Sequence, residues 1–404
     1  MKAGTIDLPG LPLTLVKGYL FSILLPFPYI WAALFAFLLS VVMLLIAQSS
    51  RVADGGLRFG RPAMMVLVGL CVVPTASVFL SPLGIDVRLF SEFFQYFFVA
   101  IIFIAGVFAF GRPGGLSQFV FCAAWITLPL SLYGIGRARW GWALEWSSFV
   151  TVAENNYASI FILLFGVALP SIYVLSPGPK RYFYLVSIGL GLVAIHFHTS
   201  RASMLAALAC IVAVAAVGRT RLVTGMRVMG LIVAGAIISL FLFDSEDVGN
   251  PDSLVSLVNF DSNFSNIERL QYLRAAAHSL VSFPFGQGIG TASSYFMHNA
   301  FSEIESPTPH NTAALLAAEM GVQGLASYCI LFALLLVCPV STMLRRYSQP
   351  IAHRRLLIVI PLILLMVTIY DAVFFNGGLT AIFFLAAATV FTTPQEKIRT
   401  LRQG

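Results

Sequence analysis

The sequence predicts an all-α integral membrane protein with about twelve transmembrane helices and one long loop carrying short helices. Three observations carry this reading. Of 404 residues, 59% are hydrophobic and 10% charged, whereas a soluble domain carries about 25% charged residues. The mean hydropathy is +0.90. The apolar residues gather in runs of membrane-spanning character, and Lys and Arg favour alternate loops.

Pro26 and Pro28 split the first apolar stretch into segments at 11–25 and 29–47. Further runs fall at 62–81, 91–110, 117–134, 157–176, 182–198, 202–217, 227–243, 310–339, 356–372 and 376–392. With the N-terminus in the cytoplasm, cytoplasmic loops collect 17 Lys and Arg, among them Arg51, Arg58, Lys180, Arg219, Arg345 and Arg402. Outer loops collect 6: Arg88, Arg137, Arg139, Arg201, Arg269 and Arg274. The opposite orientation inverts this bias. The chain therefore reads as one membrane domain in three parts: helices 1–9 over 1–243, a periplasmic loop over 244–309, and helices 10–12 with a cytoplasmic tail over 310–404. The first apolar stretch is too long for a secretory signal and lacks a clear small-residue cleavage site.

The net charge of +7 is a topology signal, and nucleic acid is not an expected partner. Cys71, Cys122, Cys210, Cys329 and Cys338 all lie in apolar runs without CxxC or Cys/His spacing, so they read as buried small hydrophobes. No metal site is expected. The acidic group Asp244, Glu246, Asp247 and Asp252 reads as a solvated loop start, with divalent-cation binding as the rival reading.

Chemistry concentrates on the outer face. Thr308 suits the cap of the tenth span and Pro309 its first position, which puts His310 and Asn311 in the first turn. Free backbone N–H groups there attract phosphate, and the positive helix end favours the neutral imidazole that a general base requires. The rival reading is an interfacial histidine closing a helix end. On a regular helix Gly321 and Gly324 fall within about 40° of His310 and admit a close neighbour. Glu319 falls on the opposite face, either as a hydrogen-bonded structural group or with a direct functional role.

Arg201 follows the capping residues Thr199 and Ser200 at the outer start of the eighth span. Within the long loop, Ser265-Asn-Ile-Glu268 reads as a capping box, predicting a helix over 266–281. Its buried face would comprise Ile267, Leu270, Leu273, Ala277 and Leu280, with Arg269 and Arg274 on opposite rims. Singly, such arginines pair with headgroups or carboxylates; gathered near a helix-start histidine, they suit a diphosphate. Gly286, Gly288 and Gly290 follow Pro284 in a turn without the Lys-Ser/Thr of a P-loop. Trp140, Trp142 and Trp146 crowd a medium outer loop over 136–156, as an interfacial belt or as stacking surfaces for sugars.

His310–Asn311, nine residues, then Gly321-Val-Gln-Gly324 resembles the His-[Asn/Ser/Gln]-x9-Gly-x-x-Gly signature of the O-antigen ligase family. Arg201 in "HTSRASMLAAL" is similar to that family's Ser-Arg at an outer helix end. Arg269 is similar to the arginine upstream of its Pro- and Gly-containing turn. The resemblance covers the second half of the chain, and the first half only by topology. It implies a GT-C-like membrane glycosyltransferase of the bacterial inner membrane with its site facing the periplasm. It further implies transfer of an undecaprenyl-diphosphate-linked glycan to a sugar hydroxyl of lipid A–core, inverting and without cofactor. His310 would be catalytic, Arg201 with Arg269 or Arg274 diphosphate-binding, and Asn311, Glu319, Gly321 and Gly324 supporting. The nearest rival is a polymerase that elongates a lipid-linked glycan. A transporter or flippase is a rival of another class, but transporters hold polar groups near the midplane.

Overall fold

The computed structural model describes residues 11–24, 34–35, 37–46, 60–80, 82, 87–112, 114–140, 154–170, 179–197, 201–216, 264–292, 296, 311–345, 351–370 and 377–392. Among these residues every regular element is helical. In chain order the helices are α1 (Leu11–Phe21), α2 (Phe37–Ile46), α3 (Arg61–Leu80), α4 (Val87–Phe110), α5 (Gly115–Trp140) and α6 (Glu154–Ala168). They continue as α7 (Pro179–Phe197), α8 (Arg201–Ala216), α9 (Phe264–Ser282), α10 (Thr312–Arg345), α11 (Ile351–Tyr370) and α12 (Gly377–Phe391).

Each expected span within the described residues is matched by a helix, and the run at 227–243 lies outside them. Helix α9 is the expected loop helix. Among the described residues, four helices are long and apolar enough to cross a bilayer by length and composition: Arg61–Leu80, Phe93–Phe110, Gly115–Gly136 and Thr312–Ser341. The remaining apolar helices are shorter. Hydroxyls inside the apolar helices bond backward to their own backbone, as Thr127 Oγ1 to Ala123 O (2.7 Å) and Ser131 Oγ to Thr127 O (2.6 Å). The polar group is thereby satisfied without water.

The main core forms where α12 packs on α4 and α5 on α7. Phe103 meets Phe384 and Phe391 edge-on, with ring centroids 6.1 and 5.8 Å apart. Ala386, Ala387 and Ala388 are fully buried, small residues that let helices approach where lipid supplies no hydrophobic drive. Cys122 and Cys210 are buried as expected, whereas Cys329 is exposed on the outer surface of α10. Helix α5 also outruns its expected end, because Arg137-Ala-Arg-Trp140 continues the helix, so Trp140 closes a helix where a loop residue was expected.

Short connections and side-chain contacts order the helix ends. Ser77, near the end of α3, reaches Glu319 in the first half of α10. Phe110 packs on Phe119 at the opposite end, across the α4–α5 turn. Phe121, early in α5, packs on Phe183 and Tyr184, early in α7. The starts of α5 and α7 are therefore neighbours at that far end. Helix α7 thus ends, and α8 begins with Arg201, at the end of the bundle shared by Ser77 and Glu319.

Candidate active site

The site end is organised by a break in α10. Gly321 has φ 63° and ψ −149°, so two helical segments meet there at an angle. The expectation of a regular helix, with Gly321 and Gly324 aligned beneath His310, is corrected accordingly. Such a break strands backbone groups that a regular helix would pair. The Pro284–Gly290 turn supplies three partners: Gln287 N–H donates to Ala318 O (3.0 Å), Gly288 N–H to Glu319 O (3.0 Å), and Val322 N–H to Pro284 O (2.8 Å). Glu319 O also accepts from Ser77 Oγ at 3.0 Å. The turn that the sequence presents as a return of the loop is thus docked by main-chain bonds into the broken helix.

Glycine is required on both sides of this joint. Gly286 has φ 86°, and a Cβ there would lie 2.3 Å from Glu319 O. A Cβ on Gly321 would lie 2.2 Å from Pro284 O and 2.4 Å from Gly286 N. Both obstacles are backbone, which no rotamer change can clear.

Glu319 is buried at 3% exposure, and its Oε1 accepts from Ala292 N at 3.4 Å. The carboxylate thereby meets the chain that follows the turn. Gln287 completes the joint, donating from Nε2 to Ser279 Oγ at 2.8 Å and so tying the turn to α9. Gln323 Nε2 reaches Phe285 O at 3.4 Å.

Helix α9 lies on the first half of α10 and forms a second, smaller core there. Tyr272 and Ala276 of α9 join Ala292 and Phe296 and meet Ala314, Leu315, Ala317 and Ala318. The Tyr272 and Phe296 rings meet edge-on at 5.2 Å. The expected buried face is therefore wrong: Leu270, Leu273 and Ala277 are exposed, Leu280 is half-buried, and Ile267 lies outside the described side chains. The stripe Tyr272–Ala276–Ser279 is buried instead: small Ala276 and Ser279 permit close approach to the alanine-rich face of α10, and the Tyr272 ring fills the space beside Phe296. Arg274 stands on the exposed side, away from α10.

Helix α10 begins at Thr312, later than expected, and Asn311 rather than Thr308 caps it. Asn311 Oδ1 accepts from Ala314 N at 2.9 Å, the bond of an N-cap residue. Its Nδ2 donates to Ile369 O at 2.9 Å, locking the start of α10 to the end of α11. Helix α8 packs on α11. Arg201 begins α8, and Arg269 falls within α9; both side chains lie outside the described residues, as do His310, Trp142 and Trp146. Trp140 is exposed at the end of α5. The backbone thus brings the starts of α8 and α10, and α9, to one end of the molecule. No group of three or more His, Cys, Asp or Glu gathers among the described residues, and the acidic cluster at Asp244 lies outside them.

The family model described as O-antigen ligase matches residues 185–329. Over this stretch the chain is similar to the O-antigen ligase family. The ligase-family match runs from within α7 to within α10 and encloses Arg201, Arg269, Arg274, the Gly286–Gly290 turn, His310 and the Gly321 break. A comparison with curated proteins returned no match. Sequence reasoning missed Ser77 and Gln287. Ser77 carries no local signal, since its partner is 242 residues away. Gln287, a polar residue between two glycines, was visible but unassigned.

Proposed function

We propose that this protein is a membrane glycosyltransferase that moves a glycan from undecaprenyl diphosphate to a sugar hydroxyl of lipid A–core, at the periplasmic face of the bacterial inner membrane. The observation that carries the reading is the O-antigen ligase match, which encloses both clamp arginines, the histidine and the glycine pair in one stretch. The docked turn supports it: α9 and α10, which bear Arg269 and the residue after His310, are joined through main-chain bonds.

In this mechanism Arg201 and Arg269 hold the donor diphosphate as planar, permanently charged donors. The acceptor hydroxyl oxygen attacks the anomeric carbon in line, inverting it. The bond from that carbon to the phosphate oxygen breaks, and the electron pair leaves with undecaprenyl diphosphate, whose growing charge the arginines stabilise. His310 takes the hydroxyl proton. Arg274, on the exposed side of α9, stands outside this clamp; Trp140, Trp142 and Trp146 are candidate surfaces for acceptor sugars. No cofactor participates.

A polymerase of the same family would use the same clamp with a lipid-linked glycan as acceptor, so the acceptor is the point to test. In a cell making O-antigen, deletion of this gene should leave long glycans on the lipid carrier and lipid A–core as one unsubstituted band. Lipid A–core bearing a single repeat unit would instead identify a polymerase.

A further inference from the structure

Helix α9 carries two apolar faces, and among the described residues only one packs on another helix. With 100° between successive residues, Tyr272, Ala276 and Ser279 form the side packed on α10. Leu270, Leu273, Arg274 and Val281 share the opposite side, and all four are exposed. Val281 is 83% exposed, and just beyond it Phe283 and Phe285 are exposed at 38% and 58%. This surface has a defined height in the bundle. Pro284, between the two phenylalanines, accepts from Val322 N–H at 2.8 Å. Val322 itself is exposed and begins the outward flank of α10 that continues through Ile330, Val337 and Val340. From Val322 to Ser341 that flank is about long enough to span the hydrocarbon core. The exposed end of α9 therefore continues a lipid-facing surface at the level where the bilayer gives way to headgroups.

We propose that the outward face of α9, with Phe283 and Phe285, is a membrane-interface anchor whose partner is the bilayer itself. Leu270, Leu273 and Val281 enter the acyl boundary, and the two aromatic rings sit at headgroup depth. The Arg274 stem lies among these apolar residues while its guanidinium reaches lipid phosphates. The anchor fixes the depth of α9, and through the Gly321 joint it fixes the site relative to the leaflet that holds lipid-linked ligands. The inference rests on burial and register and does not depend on which glycan is transferred.

The test uses the full chain, reconstituted in vesicles of radiolabelled phosphatidylethanolamine and phosphatidylglycerol. A benzophenone amino acid replaces Val281, Phe285 or, as a hydrocarbon-depth reference, Val337, one at a time. After irradiation, phospholipid adducts should form at 281 and 285 with yields comparable to 337. Adducts at 337 alone would overturn the proposal. A cross-linked band of two chains from 281 or 285, in place of lipid adducts, would assign this face to a second copy and overturn it equally. Should one probe position yield no folded protein, the other carries the test.

Discussion

Replacing Gly321 with Ala should release the turn from α10 without unfolding the bundle. The backbone at φ 63° and ψ −149° lies in a region reserved for glycine, and a side chain there costs about 1–3 kcal/mol. The added Cβ would lie 2.2 Å from Pro284 O and 2.6 Å from Phe285 C, so the turn must withdraw. Withdrawal breaks the bonds of Gln287 N, Gly288 N and Val322 N, each contributing about 0.5–1.5 kcal/mol net. Together these give a local loss of about 2.5–7.5 kcal/mol. Hydrogen exchange read by mass spectrometry reports this directly. The lower bound of about 2.5 kcal/mol predicts at least ~70-fold faster exchange at those three amides. Gly189→Ala serves as the control, because nothing lies within 4 Å of the added carbon. Parent-like protection of residues 284–290 in Gly321→Ala would refute the docking argument.

Asn311→Ala should cost about 1 kcal/mol through loss of the cap and also free the α11 end; faster exchange at Ala314 and Leu315 checks it. Glu319→Leu leaves Ala292 N–H buried and unpaired, a loss of about 1–3 kcal/mol, whereas Glu319→Gln keeps an acceptor oxygen. The two variants should therefore separate in thermal midpoint in detergent, with Gln the more stable. Arg201→Lys and Arg269→Lys should recover little of the transfer lost in the alanine variants, because a point charge does not replace a two-pronged donor. Transfer by purified Lys variants at the parent rate would remove the clamp.

The helices were legible because each expected span carries its own apolar run, and within the described residues those runs became helices. The loop helix was legible too: it spans Phe264–Ser282 against the expected 266–281, although Ser265, read as its cap, lies inside the helix. Its facing was not. Both sides of α9 repeat at helical spacing, and the usual rule sends the larger apolar residues inward. Here Tyr272, Ala276 and Ser279 are buried and the leucines are exposed, a choice made by the alanines of α10 and the Phe296 ring. The start of α10 was ambiguous for a similar reason. Thr308 and Asn311 are both good caps, and the distant Ile369 carbonyl favours Asn311. The break at Gly321 was hidden because its cause lies in Pro284–Gly288, far away in sequence. A glycine inside an apolar helix reads locally as a packing residue. What was legible was the pairing of chemistry with glycine: His310, Glu319, Gly321 and the Gly-rich turn were all singled out. Their main-chain joint became evident only in three dimensions.

The most direct test of the account is transfer by the purified protein in vesicles, given an undecaprenyl-diphosphate-linked glycan and lipid A–core. The account predicts a glycan-bearing lipid A–core, release of undecaprenyl diphosphate, and loss of both in folded His310→Ala protein. Growth of the lipid-linked glycan with lipid A–core left untouched, or undiminished transfer by His310→Ala, would contradict it.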